Sequence, residues 1–469
     1  MKMFIGGNWV SSCATQEVRS PYDGTPVDSV PLAGPGDVES ALSSAVRGAK
    51  VMAGLTAYQR HAILVKTADL LSARAEEFAQ TLTREMGKTI AEARAEVSRA
   101  VHTLTLSAEE ARRLTGETLP LDGAPGVAKK LGFTIRVPCG VVLAITPFNF
   151  PLNLVCHKVG PAIAGGNAVI LKPASATPLS AIKLTTLLLE AGLPAEGIQC
   201  VTGSGASVGD LLCSDHRVRK ISFTGSRDVG VGIMRAACLK KVSMELGSNS
   251  PLIVMPDADL ATVAAATAVT GYANAGQSCI STQRVLVDRR IYGDFLDAVT
   301  PLVEAITTGD PLADGVGMGP MIREEEAERV SAWIDEAVQG GARVLAGAAR
   351  DGALHAPTLV ADVDPSLRIS REELFGPAVA VTAFDGIDEA LALASDSRYG
   401  LGAGIFTESM RWAMEFVQRM EAGNLMVNWA PSWRADLMPY GGLKESGIGT
   451  EGPKYAIIEM TESKTVVFH

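Results

Sequence analysis

Cysteine 279 lies in Gly276-Gln277-Ser278-Cys279-Ile280-Ser281, between a helical run (Asp259 to Asn274) and a strand-like run (Gln283 to Asp288). A thiol at such a junction is held by its flanks and exposed at the turn. Its thiolate is a strong nucleophile where the surroundings lower its pKa. The competing reading is a small apolar side chain, buried and inert. A cysteine that attacks a carbonyl needs donors for the developing oxyanion and a base if a thioester is to be hydrolysed. If the carbonyl carbon is oxidised it also needs a cofactor, because no side chain accepts a hydride.

Other residues answer those needs. Asn149, in Pro147-Phe148-Asn149-Phe150-Pro151, follows the apolar run VVLAI, and its amide is a donor held between two prolines or the start of an Asx turn. Glu245 ends the strand-like VSMELG, where burial raises a carboxyl toward the range of a general base, or solvent leaves it ordinary. Lys172 ends AVILK and is placed to meet a ribose or a phosphate. Gly225-Ser226 and Gly230 form a turn into a helix, a geometry that binds anions. No GxGxxG follows a strand, so the usual dinucleotide fingerprint is absent. Gly205-Ala206-Ser207-Val208-Gly209 fits the GxSxG elbow of hydrolases, but only His216, His355 and His469 follow it, none in a distinctive setting. An esterase using Ser207 or Cys279 is the alternative function.

These residues sit on an alternation of elements. Residues 1–35 read as short strands and turns. Helices are expected at Asp37–Ala53, Tyr58–Met86 and Thr89–Leu114, before a Pro- and Gly-rich break at 115–130. From Leu131 strands and helices alternate: FTIRV, VVLAI, AVILK, a helix from Pro178 to Ala191, IQCVTG, a helix near 207–213, VRKISFTG, a helix from Asp228 to Ala237, and VSMELG. A second series follows, with PLIVM, the Ala-rich helix, QRVLVD, a helix from Tyr292 to Thr307, strands at RVLAG, APTLV and AVAVTAF, and a helix at 387–395. This order implies right-handed crossovers and mostly parallel sheets, hence an α/β fold. The closing MTESKTVVFH is strand-like with no evident partner nearby, and is expected to pair with another subunit.

Composition sets the class. A chain of 469 residues needs two or three domains. Its 47% hydrophobic and 20% charged residues are a soluble balance, and a net charge of −10 argues against nucleic acid as a partner. Seven scattered cysteines without a CxxC point to a reduced, cytoplasmic protein without a metal cage. MKMFIGGNWV lacks the regions of a signal peptide, and no apolar run is long enough for a membrane span.

Taken in order, FIGGNWV, PFNFP, ILKPA, FTGS, MELGSNSP, NAGQSCIS, EELFGP and MPYGGLKESGIG resemble the aldehyde dehydrogenase superfamily nearly end to end. The resemblance implies a Rossmann-type cofactor domain (1–114 and 136–247), an α/β catalytic domain (248–435) and a bridging, oligomerising β element (115–135 and 436–469). It implies Cys279 as the nucleophile, Asn149 with the Cys279 backbone N–H as the oxyanion hole, and Glu245 as the base that activates water. For the cofactor, NAD or NADP, it implies Lys172 and Ser175 at the adenosine ribose and Gly225 and Ser226 by the pyrophosphate. Thr146, Pro147, Phe148, Gly247, Glu373 and Phe375 complete that groove toward the nicotinamide. Many NAD-preferring members carry Glu where this chain has Ser175, which removes a carboxylate that would repel a 2′-phosphate, so NADP is expected to be accepted.

Within the superfamily, GQSCIS, PSWRADLMPYGG and EGPKYAIIEMTE are most similar to the lactaldehyde and phosphonoacetaldehyde dehydrogenase branch, which handles small polar or anionic aldehydes. That similarity implies substrate contacts at His157, Ser278, Ile280 and Arg434. The residue before the nucleophile is Arg in the phosphonate group but Ser278 here. A homodimer or homotetramer is implied as the assembly.

Overall fold

The computed structural model describes residues 1–469. Its first sheet has eight strands, and the continuously apolar runs are its centre. Val141–Ile145 and Ala168–Lys172 are buried at every position, as strands covered on both faces must be. Around Val141–Ile145 the parallel strands run Ile198–Cys200, Ala168–Lys172, Val141–Ile145, Lys220–Thr224, Lys241–Glu245. Numbered along the chain this is the order 3-2-1-4-5, so winding reverses at Val141–Ile145. Ligands bind outside the carboxyl ends of strands at such a switch point. Met3–Ile5 and Asn8–Val10 extend one edge antiparallel, and Gly447–Ile448 pairs with Met244 and Glu245 at the other.

The second sheet has seven strands in the order Arg343–Ala346, Thr358–Ala361, Ala378–Phe384, Arg284–Asp288, Pro251–Val254, Gly402–Phe406, Asn424–Val427, with only the first antiparallel. One apolar core gathers residues between Met3 and Leu246 together with Ile457 and Met460, and a second gathers residues between Leu252 and Ala430. The chain is α/β throughout, as its alternation predicts.

Three details differ from the sequence reading. The run Tyr58–Met86 is two helices, Ala57–Ala73 and Ala75–Met86, because Arg74 leaves helical geometry at φ −110°. Each piece then turns its own apolar stripe, Leu64 and Leu71 or Phe78 and Leu82, into the core. The Ala-rich helix stops at Tyr272, and Asn274 and Ala275 take left-handed backbone. The C-terminal strand Thr461–Phe468 finds its partner in its own chain: it pairs antiparallel with Leu131–Pro138 over all eight residues. Two strands distant in sequence close this pairing, so nothing local could announce it. Thr461–Phe468 remains the outer strand of a three-stranded sheet, with Phe468 and Leu131 exposed.

Candidate active site

The helix Ile90–Ala111 builds the floor of the site. Thr89 caps it and Glu92 reciprocates, the capping-box pattern. Glu92 also accepts the backbone N–H of Asn274 at 2.6 Å, tying the helix to the cysteine loop. Lys88 and Glu96, both buried, form an ion pair at 2.5 Å. Lys88 donates to the Asn149 carbonyl at 2.7 Å, and Glu96 accepts the N–H groups of Leu152 and Asn153 at 2.9 and 3.0 Å. The turn after the switch-point strand is therefore fixed by charge-assisted hydrogen bonds.

Three left-handed residues in a row, Asn274, Ala275 and Gly276, aim the cysteine loop. Such backbone is costly for Asn and Ala and persists where its surroundings enforce it, commonly at functional sites. Gly276 admits no side chain, since a Cβ there would lie 2.1 Å from the Gly376 carbonyl oxygen. Asn149 donates its side-chain amide to the Gln277 carbonyl at 2.9 Å, two residues before Cys279. The structure thus joins Asn149 and the cysteine loop, which are 128 residues apart in sequence.

Cys279 is half-buried and packs with Ile280, Leu401 and Tyr440. Burial pushes its thiol up to about 12, with the Glu373 and Glu245 charges acting the same way and the Tyr440 hydroxyl opposing. Glu245 is buried, and its Oε2 has no partner. Burial and then the Glu451 charge raise its pKa well above the ordinary carboxyl range, against Arg434 and Lys158. An unpartnered buried carboxyl oxygen calls for a water or a ligand.

The carboxyl end of the first sheet holds more unpartnered groups. Thr146 Oγ1, Thr224 Oγ1 and Asn149 Oδ1 are buried without hydrogen-bond partners. Lys172 is buried and reaches only the Pro173 carbonyl, at 3.4 Å. Burial lowers its pKa to about 8. Ser226 precedes the helix Arg227–Ala237 without capping it through its side chain, which leaves the first N–H groups of that helix free. Ser175 donates to the Gly203 carbonyl at 3.0 Å. Glu373 accepts the Ser248 N–H at 2.9 Å, and burial lifts its carboxyl to about 7. A Cβ on Gly247 would lie 2.5 Å from that carboxylate. Phe375, left-handed at φ 50°, meets Phe148 edge to face at 5.8 Å. Pro147 is half-buried beside them. This groove of free donors, free acceptors and one amine fits an extended phosphate- and ribose-bearing cofactor.

On the far side of Cys279 stands a charged cluster that sequence reasoning reached only at His157 and Arg434. The Arg434 side chain is 7% exposed, bonds Glu451 at 3.2 Å and stacks over the Tyr440 ring at 3.9 Å, and its Nε has no partner. His157 lies buried behind it. Its Nε2 bonds Asp436 at 2.9 Å and its Nδ1 faces Arg434 at 3.5 Å, so the partners assign a neutral ring with the proton on Nε2. Burial, reinforced by the Arg434 charge, lowers the His157 pKa. Asp436 also takes Arg99 through both oxygens, at 2.8 and 3.1 Å. Burial opposes its ionisation, but His157 and Arg99 hold it well below the ordinary range. Lys158 pairs with Glu451 at 2.7 Å. Arg99, Arg434 and Lys158 thus face Asp436 and Glu451, with the Glu245 carboxyl also beside Arg434 and Lys158. Ser278 is half-buried, and Ile280 is 9% exposed against Tyr440.

Ser207, by contrast, sits exposed on a π-helical turn and bonds only Ser204, and His216 reaches only Asp215. No histidine meets it. No group of His, Cys, Asp and Glu has the arrangement of a metal site.

The family model described as Aldehyde dehydrogenase family matches residues 9–466. The chain belongs to the aldehyde dehydrogenase family. It is 46% identical over 467 residues to the 3-sulfolactaldehyde dehydrogenase of Priestia aryabhattai, covering 100% of this chain and 98% of that one. It is 38% identical over 475 residues to the lactaldehyde dehydrogenase of Methanococcus vannielii, with 100% of each covered. Among solved structures, the NADP-dependent glyceraldehyde-3-phosphate dehydrogenase of Bacillus halodurans, complexed with NADP, superimposes with a TM-score of 0.98 at 35% identity, covering 100% of this chain and 99% of that one. This aldehyde dehydrogenase is therefore an oxidoreductase of the α/β fold that its motifs announce.

Proposed function

We propose that the protein oxidises a small anionic aldehyde, of which a sulfonate-bearing one is the leading candidate, to its carboxylic acid with NADP or NAD. The buried Arg434 guanidinium near the thiol, with an Nε that no group bonds, is the observation that carries this reading. Two relatives named for charged aldehydes, 3-sulfolactaldehyde and glyceraldehyde 3-phosphate, support it. The free Arg434 Nε takes the anion without displacing Glu451. His157 and Asp436 hold Arg434 in place rather than meeting the substrate themselves, while Ile280 and Ser278 shape the wall near the thiol.

In the reaction, the Cys279 thiolate adds to the aldehyde carbon, and the new oxyanion is met by the Asn149 amide and the Cys279 N–H. Lys172, Ser175 and Ser226 would hold the adenosine and pyrophosphate parts of a nicotinamide dinucleotide, with Glu373, Phe375 and Phe148 about its other end. That group, when bound, supplies the hydride acceptor. Glu245 takes a proton from water, the hydroxide displaces the Cys279 thiolate from the acyl carbon, and the acid leaves. The exposed outer strand Thr461–Phe468 supports assembly as at least a dimer. The test is reduced-nicotinamide formation across a panel of sulfonated, carboxylated, phosphorylated and neutral short aldehydes, with both dinucleotides. The proposal expects kcat/KM to rank the anionic aldehydes first. A neutral aldehyde at the top of that ranking would refute the substrate class.

A further inference from the structure

We propose that the Tyr440 hydroxyl donates a hydrogen bond to Cys279 and favours its thiolate in the resting enzyme. This rests on Cys279 being the nucleophile. Tyr440 is 2% exposed, and its hydroxyl oxygen lies 3.4 Å from Cys279 Sγ. No other group bonds that hydroxyl, and buried phenols are rarely left unpartnered. In this pocket the sulfur is what it has.

The ring is held through one face and through its backbone. The Arg434 guanidinium covers one face at 3.9 Å. The Tyr440 backbone is locked to Glu451 by a pair of hydrogen bonds, at 3.1 and 2.7 Å. Burial keeps the phenol protonated far above neutral pH, so toward a thiolate it acts as donor. The other groups facing the sulfur are Glu373 and Glu245, which disfavour the thiolate, and Arg434, which favours it. Tyr440 and Arg434 thus oppose burial in part, with Arg434 also fixing the ring that carries the donor. The anion site and the nucleophile are linked through one side chain.

The experiment is the pH dependence of Cys279 alkylation by iodoacetamide, read on the Cys279-containing peptide because Cys13 and Cys238 are exposed and also react. Tyr440→Phe keeps the ring and its volume. The expected result is alkylation slower by about threefold to tenfold at pH 7.5, the net worth of one ordinary hydrogen bond, with the profile displaced to higher pH and dinucleotide binding unchanged. A profile superimposable on that of the wild type would overturn the proposal and leave Tyr440 as packing only. Turnover by Cys279→Ala reports separately on the reading beneath it: a Cys279→Ala enzyme that still oxidises aldehydes removes the nucleophile itself, whatever Tyr440→Phe shows.

Discussion

Replacing Arg434 by Met separates charge from packing. The methionine keeps an unbranched apolar side chain beside Tyr440 and removes the guanidinium that covers its ring. Glu451 is not stranded, because Lys158 still bonds it at 2.7 Å. The anionic end of the substrate loses hydrogen bonds to a charged group, worth about 1.5–3 kcal/mol. At about 1.4 kcal/mol per factor of ten, kcat/KM for an anionic aldehyde falls by roughly tenfold to a hundredfold. A neutral aldehyde loses only what the change costs the Tyr440 ring and the Cys279 thiolate, a loss that the anionic aldehyde shares in full. The assay is initial-rate absorbance of the reduced nicotinamide, with a sulfonated and a neutral aldehyde measured on the same preparation. The informative quantity is the ratio of the two kcat/KM values, which cancels general damage. A ratio unchanged within about twofold would show that Arg434 is not the anion's partner and that its guanidinium serves only the fold.

Glu245→Gln leaves thioester formation intact and removes the base, so a burst of reduced nicotinamide should precede a steady state slower by about a hundredfold or more; an undiminished steady state would assign the base elsewhere. Because burial raises the Glu245 pKa, kcat in the wild type should still climb with pH above the ordinary carboxyl range, and a profile flat there would contradict that. The lowered His157 pKa means that the folded protein resists protonation there. Stability is then full above the unfolded value of about 6.5 and lost as pH falls through it, with a slope of at most about 1.4 kcal/mol per pH unit, which urea titrations at pH 5.5 and 7.5 on wild type and His157→Asn will show or fail to show. Lys88→Met strands the buried Glu96 and should cost about 3–5 kcal/mol in denaturant titration, with Lys88→Met/Glu96→Gln recovering part of it; a cost below about 1 kcal/mol would mean the pair is dispensable. If Ser175 lies at the adenosine ribose, as proposed, kcat/KM for NADP should lie within about tenfold of that for NAD, and an overwhelming preference for NAD would sink that expectation.

The nucleophile loop, Glu245 and Asn149 were legible because each sits where a periodic run ends, and strand ends are where α/β sheets place ligands. The motifs in their order carried the family, and the resemblance they make supplied the residues proposed for the cofactor. The charged cluster was not legible, for a physical reason. Arg99 and Asp436 meet across 337 residues, and Lys158 and Glu451 across 293, so each reads locally as an ordinary helix or loop charge. Tyr440 was visible only as one letter of MPYGGLK. Its contact with sulfur depends on the pairing of its backbone with Glu451. Lys88 and Glu96 were hidden similarly: a short helix-start motif gives no hint that its lysine reaches the Asn149 carbonyl. The partner of the C-terminal arm was missed because antiparallel pairing with Leu131–Pro138 needs the whole fold to bring the strands together.

The central claim is that an anionic aldehyde is oxidised while covalently held on Cys279. The most direct test is peptide mass spectrometry of Glu245→Gln quenched during turnover with a sulfonated aldehyde and dinucleotide. The account predicts an acyl adduct on the peptide containing Cys279, absent when dinucleotide is omitted and absent from Cys279→Ala/Glu245→Gln. Turnover without any adduct there, or an adduct on another residue, would contradict it.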